Sequence, residues 1–227
     1  MSVVVGVVVF PGTNCEHDAA QAVEAAGATP KLLWHTEESI GGVDAIILPG
    51  GFAHGDYLRP GALARFSPIM NAVEAFAAIG GPVVGICNGF QVLTEARLLP
   101  GALQKNSGLT FVCEEAEIKI ESDRSVLSAG IPAGTQLRIP INHFEGNYIC
   151  DERTLAELES EGRIVARYVV NPNGSVASIA GIANEAGNVV GLMPHPERAV
   201  DPLTGSTDGL AMLRALVRCA AAARISP

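Results

Sequence analysis

Through the first part of this 227-residue chain the apolar residues come in short, unbroken runs, and glycine or proline closes most of them. Val3 to Phe10 is a β-branched run, which predicts a strand buried on both faces, as in a parallel sheet. Pro11-Gly12 ends it. Thr13-Asn14-Cys15-Glu16 has the form of a capping box and opens an alanine-rich helix to about Ala26 that stops at Gly27. Lys31 to Trp34 predicts a second strand and Val43 to Leu48 a third, ending in Pro49-Gly50-Gly51. A helix is expected within Ala62 to Ala78, a strand over Pro82 to Ile86 and a helix from Asn88 to Glu95. This alternation predicts an α/β fold, an open, mostly parallel sheet flanked by helices.

Beyond Gly101 the texture changes. Leu109 to Cys113, Ala116 to Ile120, Gln136 to Ile141 and Arg163 to Val170 all predict strands with little helix between them. Asp151 to Glu161 reads as one solvated acidic helix. Ile179 to Asn184 and Val189 to Met193, separated by Glu185-Ala186-Gly187-Asn188, predict a hairpin. An alanine-rich helix from Asp208 to about Arg224 closes the chain, with Asp208 as its cap. The second half therefore predicts an additional antiparallel sheet. No repeat, linker or low-complexity segment interrupts the pattern, so one domain over residues 1–227 is expected.

Composition narrows the class. With 48% hydrophobic and 17% charged residues the chain reads as globular. A net charge of −9 without a Lys/Arg-rich run argues against a basic face for nucleic acid. The five cysteines are scattered and lack C-x-x-C spacing, which argues against a disulfide framework or a structural zinc site and fits a reducing cytoplasm. The apolar run at the start is too short to span a membrane.

The most informative stretch is Gly85-Ile86-Cys87-Asn88-Gly89, which places Cys87 at the break between a strand and a helix. That is the pattern of a nucleophile elbow, in which glycines allow backbone to approach backbone and the sulfur is lifted to a helix N-terminus. A buried structural cysteine would leave the same single residue. A second stretch tips the balance toward the nucleophile. In Met193-Pro194-His195-Pro196-Glu197 each proline pushes the residue before it toward an extended conformation, so His195 and Glu197 are expected to point the same way. An elbow cysteine, a histidine base and a carboxylate that orients it follow the logic of acyl transfer. Such chemistry needs donors for an oxyanion. The backbone amide of Asn88 and one in the Pro49-Gly50-Gly51-Phe52 loop are available, the latter on the carboxyl edge of the sheet.

Taken together, P-G-G-F, G-I-C-N-G-F-Q and P-H-P-E, in this order, resemble the class I glutamine amidotransferase family, whose fold is flavodoxin-like. Further stretches carry the likeness over nearly the whole chain: Phe10 to Cys15, Gly51 to Arg59, Asn142 to Gly146 and Pro196 to Pro202. They bring it close to the stand-alone glutaminase subunits of purine biosynthesis. The resemblance implies that Cys87 attacks the side-chain amide of glutamine, that His195 relays the proton with Glu197 behind it, and that the amides of Gly51 and Asn88 form the oxyanion hole. It also implies that Phe52 and Gln91 contact the substrate and that Asn142 and His143 lie in the segment that holds its α-amino or α-carboxylate end. Ammonia would then pass to a separate synthetase subunit that binds ATP and Mg²⁺, with a small accessory subunit as a further partner. No G-x-x-x-x-G-K-[ST] loop or metal-spaced carboxylate cluster is present, so no cofactor and no metal are expected in this chain. Cys15 and His17 are assigned to local structure or a partner surface, and the Ala53 to Arg59 loop to partner contact.

Two other readings stay open at this point. A cysteine hydrolase of the same broad fold would place its histidine directly after the nucleophile, where this chain has Asn88. A flavodoxin-like binding module would not need Cys87, His195 and Glu197 together.

Overall fold

The computed structural model describes residues 2–224. In chain order it contains β1 (Val4–Val9), α1 (Glu16–Ala25), β2 (Thr29–Trp34), β3 (Ala45–Leu48), α2 (Pro68–Ala78), β4 (Val83–Ile86), α3 (Asn88–Glu95) and β5 (Ala102–Gln104). The second half adds β6 (Val112–Ile120), β7 (Gln136–His143), β8 (Asn147–Ile149), α4 (Glu152–Ser160), β9 (Ile164–Tyr168), β10 (Ile179–Ala183), β11 (Val189–Leu192) and α5 (Gly209–Ala223).

Nine strands form one sheet in the order β2-β1-β3-β4-β11-β10-β9-β6-β7. The half from β2 to β11 is parallel, and the half from β11 to β7 is antiparallel. β11 is the hinge of this plan: it pairs parallel with β4 on one side and antiparallel with β10 on the other. The predicted antiparallel strands are thus present, and they continue the central sheet. β5 and β8 form a separate two-stranded antiparallel sheet. Helices α1 and α5 pack on each other, while α3 lies over β3, β4 and β11.

The central strands carry the apolar load. Every residue of β3, β4 and β11 is buried, as continuous apolar runs in a covered parallel sheet should be. Ile46, Ile47, Leu48 and Ile86 are fully enclosed, and each contributes roughly 1.5–3 kcal/mol by leaving water. On the far side of the elbow, Phe90 of α3 stacks on Tyr148 of β8, with centroids 5.8 Å apart. The elbow is therefore anchored from both ends.

Some expectations are corrected. The capping box does not form: the Thr13 hydroxyl accepts from the Phe10 amide at 3.1 Å, closing the turn after β1, and α1 starts without a side-chain cap. Asp208 does not cap α5; its carboxylate accepts from the Arg138 amide at 2.8 Å. The two strands predicted between Leu109 and Ile120 are one, because β7 pairs with β6 continuously from Val112 to Lys119. Asp151 does cap its helix, accepting from the Thr154 amide at 2.7 Å. Among the described residues no helix is long and apolar enough to cross a membrane.

Candidate active site

Four neighbouring parallel strands, β1, β3, β4 and β11, end on the same edge of the sheet. The loops that leave them carry Cys15, Gly51, Cys87 and His195 in turn. Residues far apart in the chain are thus delivered to one place by topology alone, at the carboxyl edge where α/β sheets hold ligands. A cavity of about 470 Å³ opens there, lined among others by Cys87, Gln91, Asn142, His143, Glu145 and His195.

Cys87 is the turn residue between β4 and α3, at φ 50° and ψ −105°. For a side-chain-bearing residue this is strained backbone, costing on the order of 1–3 kcal/mol, and such outliers concentrate at functional sites. The packing of β4 and α3 outweighs that cost. Gly89 makes the sharp turn possible, since a Cβ on it would strike the carbonyl oxygen of Leu48. The elbow is tied to β11 by the Cys87 amide, which donates to Leu192 at 2.8 Å. The sulfur lies 3.7 Å from the carbonyl oxygen of Asn142.

His195 and Glu197 face each other at 2.6 Å between Nδ1 and Oε1, with both side chains buried. His195 is extended, at φ −103° and ψ 81°, as Pro196 dictates. Glu197 arrives by a different route from the one predicted: residues Pro196–Arg198 form a single 3₁₀ turn, and that turn brings the carboxylate under the ring. The mount is fixed by the His195 amide, which donates to Pro140 on β7 at 2.8 Å. β7 is an edge strand, where a proline costs no ladder bond. The other ring nitrogen, Nε2, is buried and makes no hydrogen bond, and Cys87 is near enough for ring and sulfur to feel each other's charge. Burial alone would lower the imidazole pKa. The negative charge of Glu197, and next that of Cys87, overcome this and hold it at about 10.

The loop after β3 is zipped to the loop after β1. Cys15 N donates to Gly50 O at 3.3 Å and Phe52 N to Gly12 O at 3.2 Å. Gly51 sits at φ 131° and lines the cavity with Phe52. The side chain of Asn88, buried at the start of α3, staples this loop down: Oδ1 accepts from Ala53 N at 3.0 Å, and Nδ2 donates to Gln91 Oε1 at 2.9 Å. Gln91 in turn donates to the carbonyl of Glu145 at 2.5 Å. His143 is buried, with Nδ1 against Asn106 Oδ1 at 3.1 Å. Burial, aided by the charge on His195, lowers its pKa to about 4, so it is neutral. All nine predicted residues except Asn88 and Glu197 line the cavity, and those two hold lining residues in place, Asn88 bonding Gln91 and Glu197 bonding His195.

Sequence reasoning missed three features. Cys15 faces this site: its sulfur, a nitrogen of His195 and an oxygen of Glu197 all lie within 4.8 Å of one another. His17 instead faces solvent. Arg198 Nη2 donates to the Cys15 sulfur at 3.1 Å, so a guanidinium already occupies the approach, and we assign no metal there. Burial first, then the charge of Glu197, pushes the Cys15 thiol up to about 12. Asp56 and Glu145 bring negative charge to the cavity wall. Arg59, predicted for partner contact, is held by both oxygens of Glu95 at 2.6 Å.

A sheet that gathers a strained cysteine and a carboxylate-backed imidazole on its carboxyl edge places the chain among the thiol-dependent α/β enzymes that work on carbonyl groups. Comparison with known proteins gives the family. Residues 2–209 match the model of the CobB/CobQ-like glutamine amidotransferase domain. The chain is 59% identical over 94% of its length to a protein of Rubrobacter xylanophilus named phosphoribosylformylglycinamidine synthase subunit PurQ, covering 97% of it. It is 50% identical to the protein of the same name from Streptomyces avermitilis, over 96% of this chain and 98% of that one. A chain from the structure of PurLQS of Thermotoga maritima superposes with a TM-score of 0.89 at 40% identity, over 96% of this chain and 99% of that one. The chain belongs to the glutamine amidotransferase family.

Proposed function

We propose that this chain is the glutaminase subunit of phosphoribosylformylglycinamidine synthase and that residues 1–227 act as one amidotransferase domain. The observation that carries the reading is the meeting of Cys87 with the His195–Glu197 pair at one cavity, in a chain alike along nearly its whole length to proteins of that name.

The chemistry follows from the arrangement. The Cys87 sulfur attacks the side-chain amide carbon of glutamine, and its proton resides on His195, whose charge Glu197 stabilises. The oxyanion of the tetrahedral intermediate accepts from the backbone amides of Gly51 and Asn88. His195 then gives its proton to the departing nitrogen, and ammonia leaves a γ-glutamyl thioester on Cys87. Water, deprotonated by His195, attacks the thioester carbonyl. Glutamate leaves, and the thiol is restored. Phe52 and Gln91 form walls of the pocket, while Asn142 and a neutral His143 offer polar contacts to the substrate.

Ammonia released here supplies a separate synthetase subunit, which uses ATP and Mg²⁺ to convert formylglycinamide ribonucleotide to formylglycinamidine ribonucleotide. A small accessory subunit completes the assembly. The similarity to a chain of the Thermotoga maritima PurLQS structure supports this division of labour. The five free thiols fit a cytoplasmic setting. The test is glutamate release from glutamine by the purified chain, alone and with the synthetase and its nucleotide substrates. Release that rises with the synthetase is the expected result. Release indifferent to the synthetase would keep the glutaminase and remove the pathway.

A further inference from the structure

The cavity carries more charge than the reaction at Cys87 uses. Its cations are Arg59, Lys105 and Arg198, and its carboxylates are Asp56 and Glu145. Arg59 is taken up by Glu95, and Arg198 by Asp18 at 3.0 Å. Asp56 is placed otherwise. It is half-buried, and among the described residues its one hydrogen bond comes from Asn88 Nδ2, at 3.1 Å. Burial and then the neighbouring charge of Glu145 push its carboxyl up to about 6. Its ionised form is costly as the site stands, and a cation arriving in the cavity would relieve that cost.

We infer that Asp56 recognises the α-ammonium group of the amino-acid substrate, with Glu145 beside it. This rests on the glutaminase reading and names how that site tells glutamine from an amide that lacks an α-amino group. The contacts of Asn88 give the recognition a reach. The amide nitrogen that holds Asp56 also donates to Gln91, and the oxygen of the same side chain accepts from Ala53. An ammonium bound at Asp56 is therefore one side chain away from both segments that carry the Asn88 and Gly51 amides. Asp56 sits at φ 52°, a conformation that Asp and Asn tolerate better than other side-chain-bearing residues. Asp56→Asn thus removes the charge and keeps both the backbone and an acceptor for Asn88.

The test compares L-glutamine with 4-carbamoylbutyrate, which keeps the amide and the carboxylate and lacks only the α-amino group. The chain is assayed together with its synthetase subunit. The wild type is expected to prefer glutamine by roughly 100-fold in kcat/KM. Asp56→Asn is expected to cut that preference to about fivefold or less, through a higher KM for glutamine, with 4-carbamoylbutyrate unchanged. The second substrate also reports on folding, because a displaced loop would lower both rates together. Equal losses on the two substrates, or a preference that survives in the variant, would overturn the assignment. If the wild type hydrolyses neither amide, the glutaminase reading itself fails and the assignment falls with it.

Discussion

His195 Nδ1 and Glu197 Oε1 lie 2.6 Å apart inside the protein, with neither side chain open to solvent. Burial lowers the imidazole pKa, but Glu197 and Cys87 more than reverse this, to about 10 in the folded protein against the ordinary histidine value of 6.5. A raised pKa in the folded state means that its stabilising effect is complete below pH 6.5 and is lost as pH rises toward 10. Denaturant midpoints measured across that window should fall with pH in the wild type. Glu197→Gln should flatten the fall. The same variant should lower kcat by about 100-fold or more, because the ring loses the partner that fixes its tautomer and holds its proton. A variant with wild-type kcat and an unchanged pH slope would contradict the coupling.

Gly50 sits where three side chains converge. A Cβ there would stand 2.7 Å from His195 Cε1, 3.2 Å from Cys15 Sγ and 3.4 Å from Cys87 Cβ. Gly50→Ala should therefore wedge the imidazole away from the sulfur. The expected stability loss is about 1–3 kcal/mol, as for other overpacked sites, with a loss of activity of about 100-fold or more from displaced catalytic groups. Thermal melts and steady-state rates on one preparation separate the two. Full activity would show that the ring is free to yield.

Cys15 lies beside the reactive pair, yet its thiol is held protonated at neutral pH by burial and the Glu197 charge. Alkylation by iodoacetamide at pH 7.5, followed by peptide mass analysis, should leave Cys15 unmodified while Cys87 reacts and activity is lost in step. Cys113, exposed on β6, serves as the internal control for reagent. Faster labelling at Cys15 than at Cys87 would reverse the roles given to the two sulfurs.

The sequence made the elbow and the histidine legible because their constraints are local. Glycines bracket Cys87, and prolines bracket His195, so the backbone could be read without knowing its surroundings. The parallel strands were legible for the same reason, as uninterrupted apolar runs. β5 and β8 were not, being three residues each with no periodicity to read. The failed caps at Thr13 and Asp208 show a local signal losing to a tertiary partner, the Phe10 turn in one case and the Arg138 amide in the other. Asp56 and Cys15 were invisible as site residues because their partners lie 32 and 183 positions away, in Asn88 and Arg198. Only the topology brings them together.

In the proposed function, ammonia for the synthetase is made at Cys87. Cys87→Ala, reconstituted with the synthetase subunit, should be offered glutamine and, separately, an ammonium salt, and amidine formation followed. Ala removes the sulfur while leaving the packing of β4 and α3 in place. No product with glutamine, and product at the wild-type rate with ammonium, are the expected results. Undiminished product with glutamine would show that the ammonia is made elsewhere.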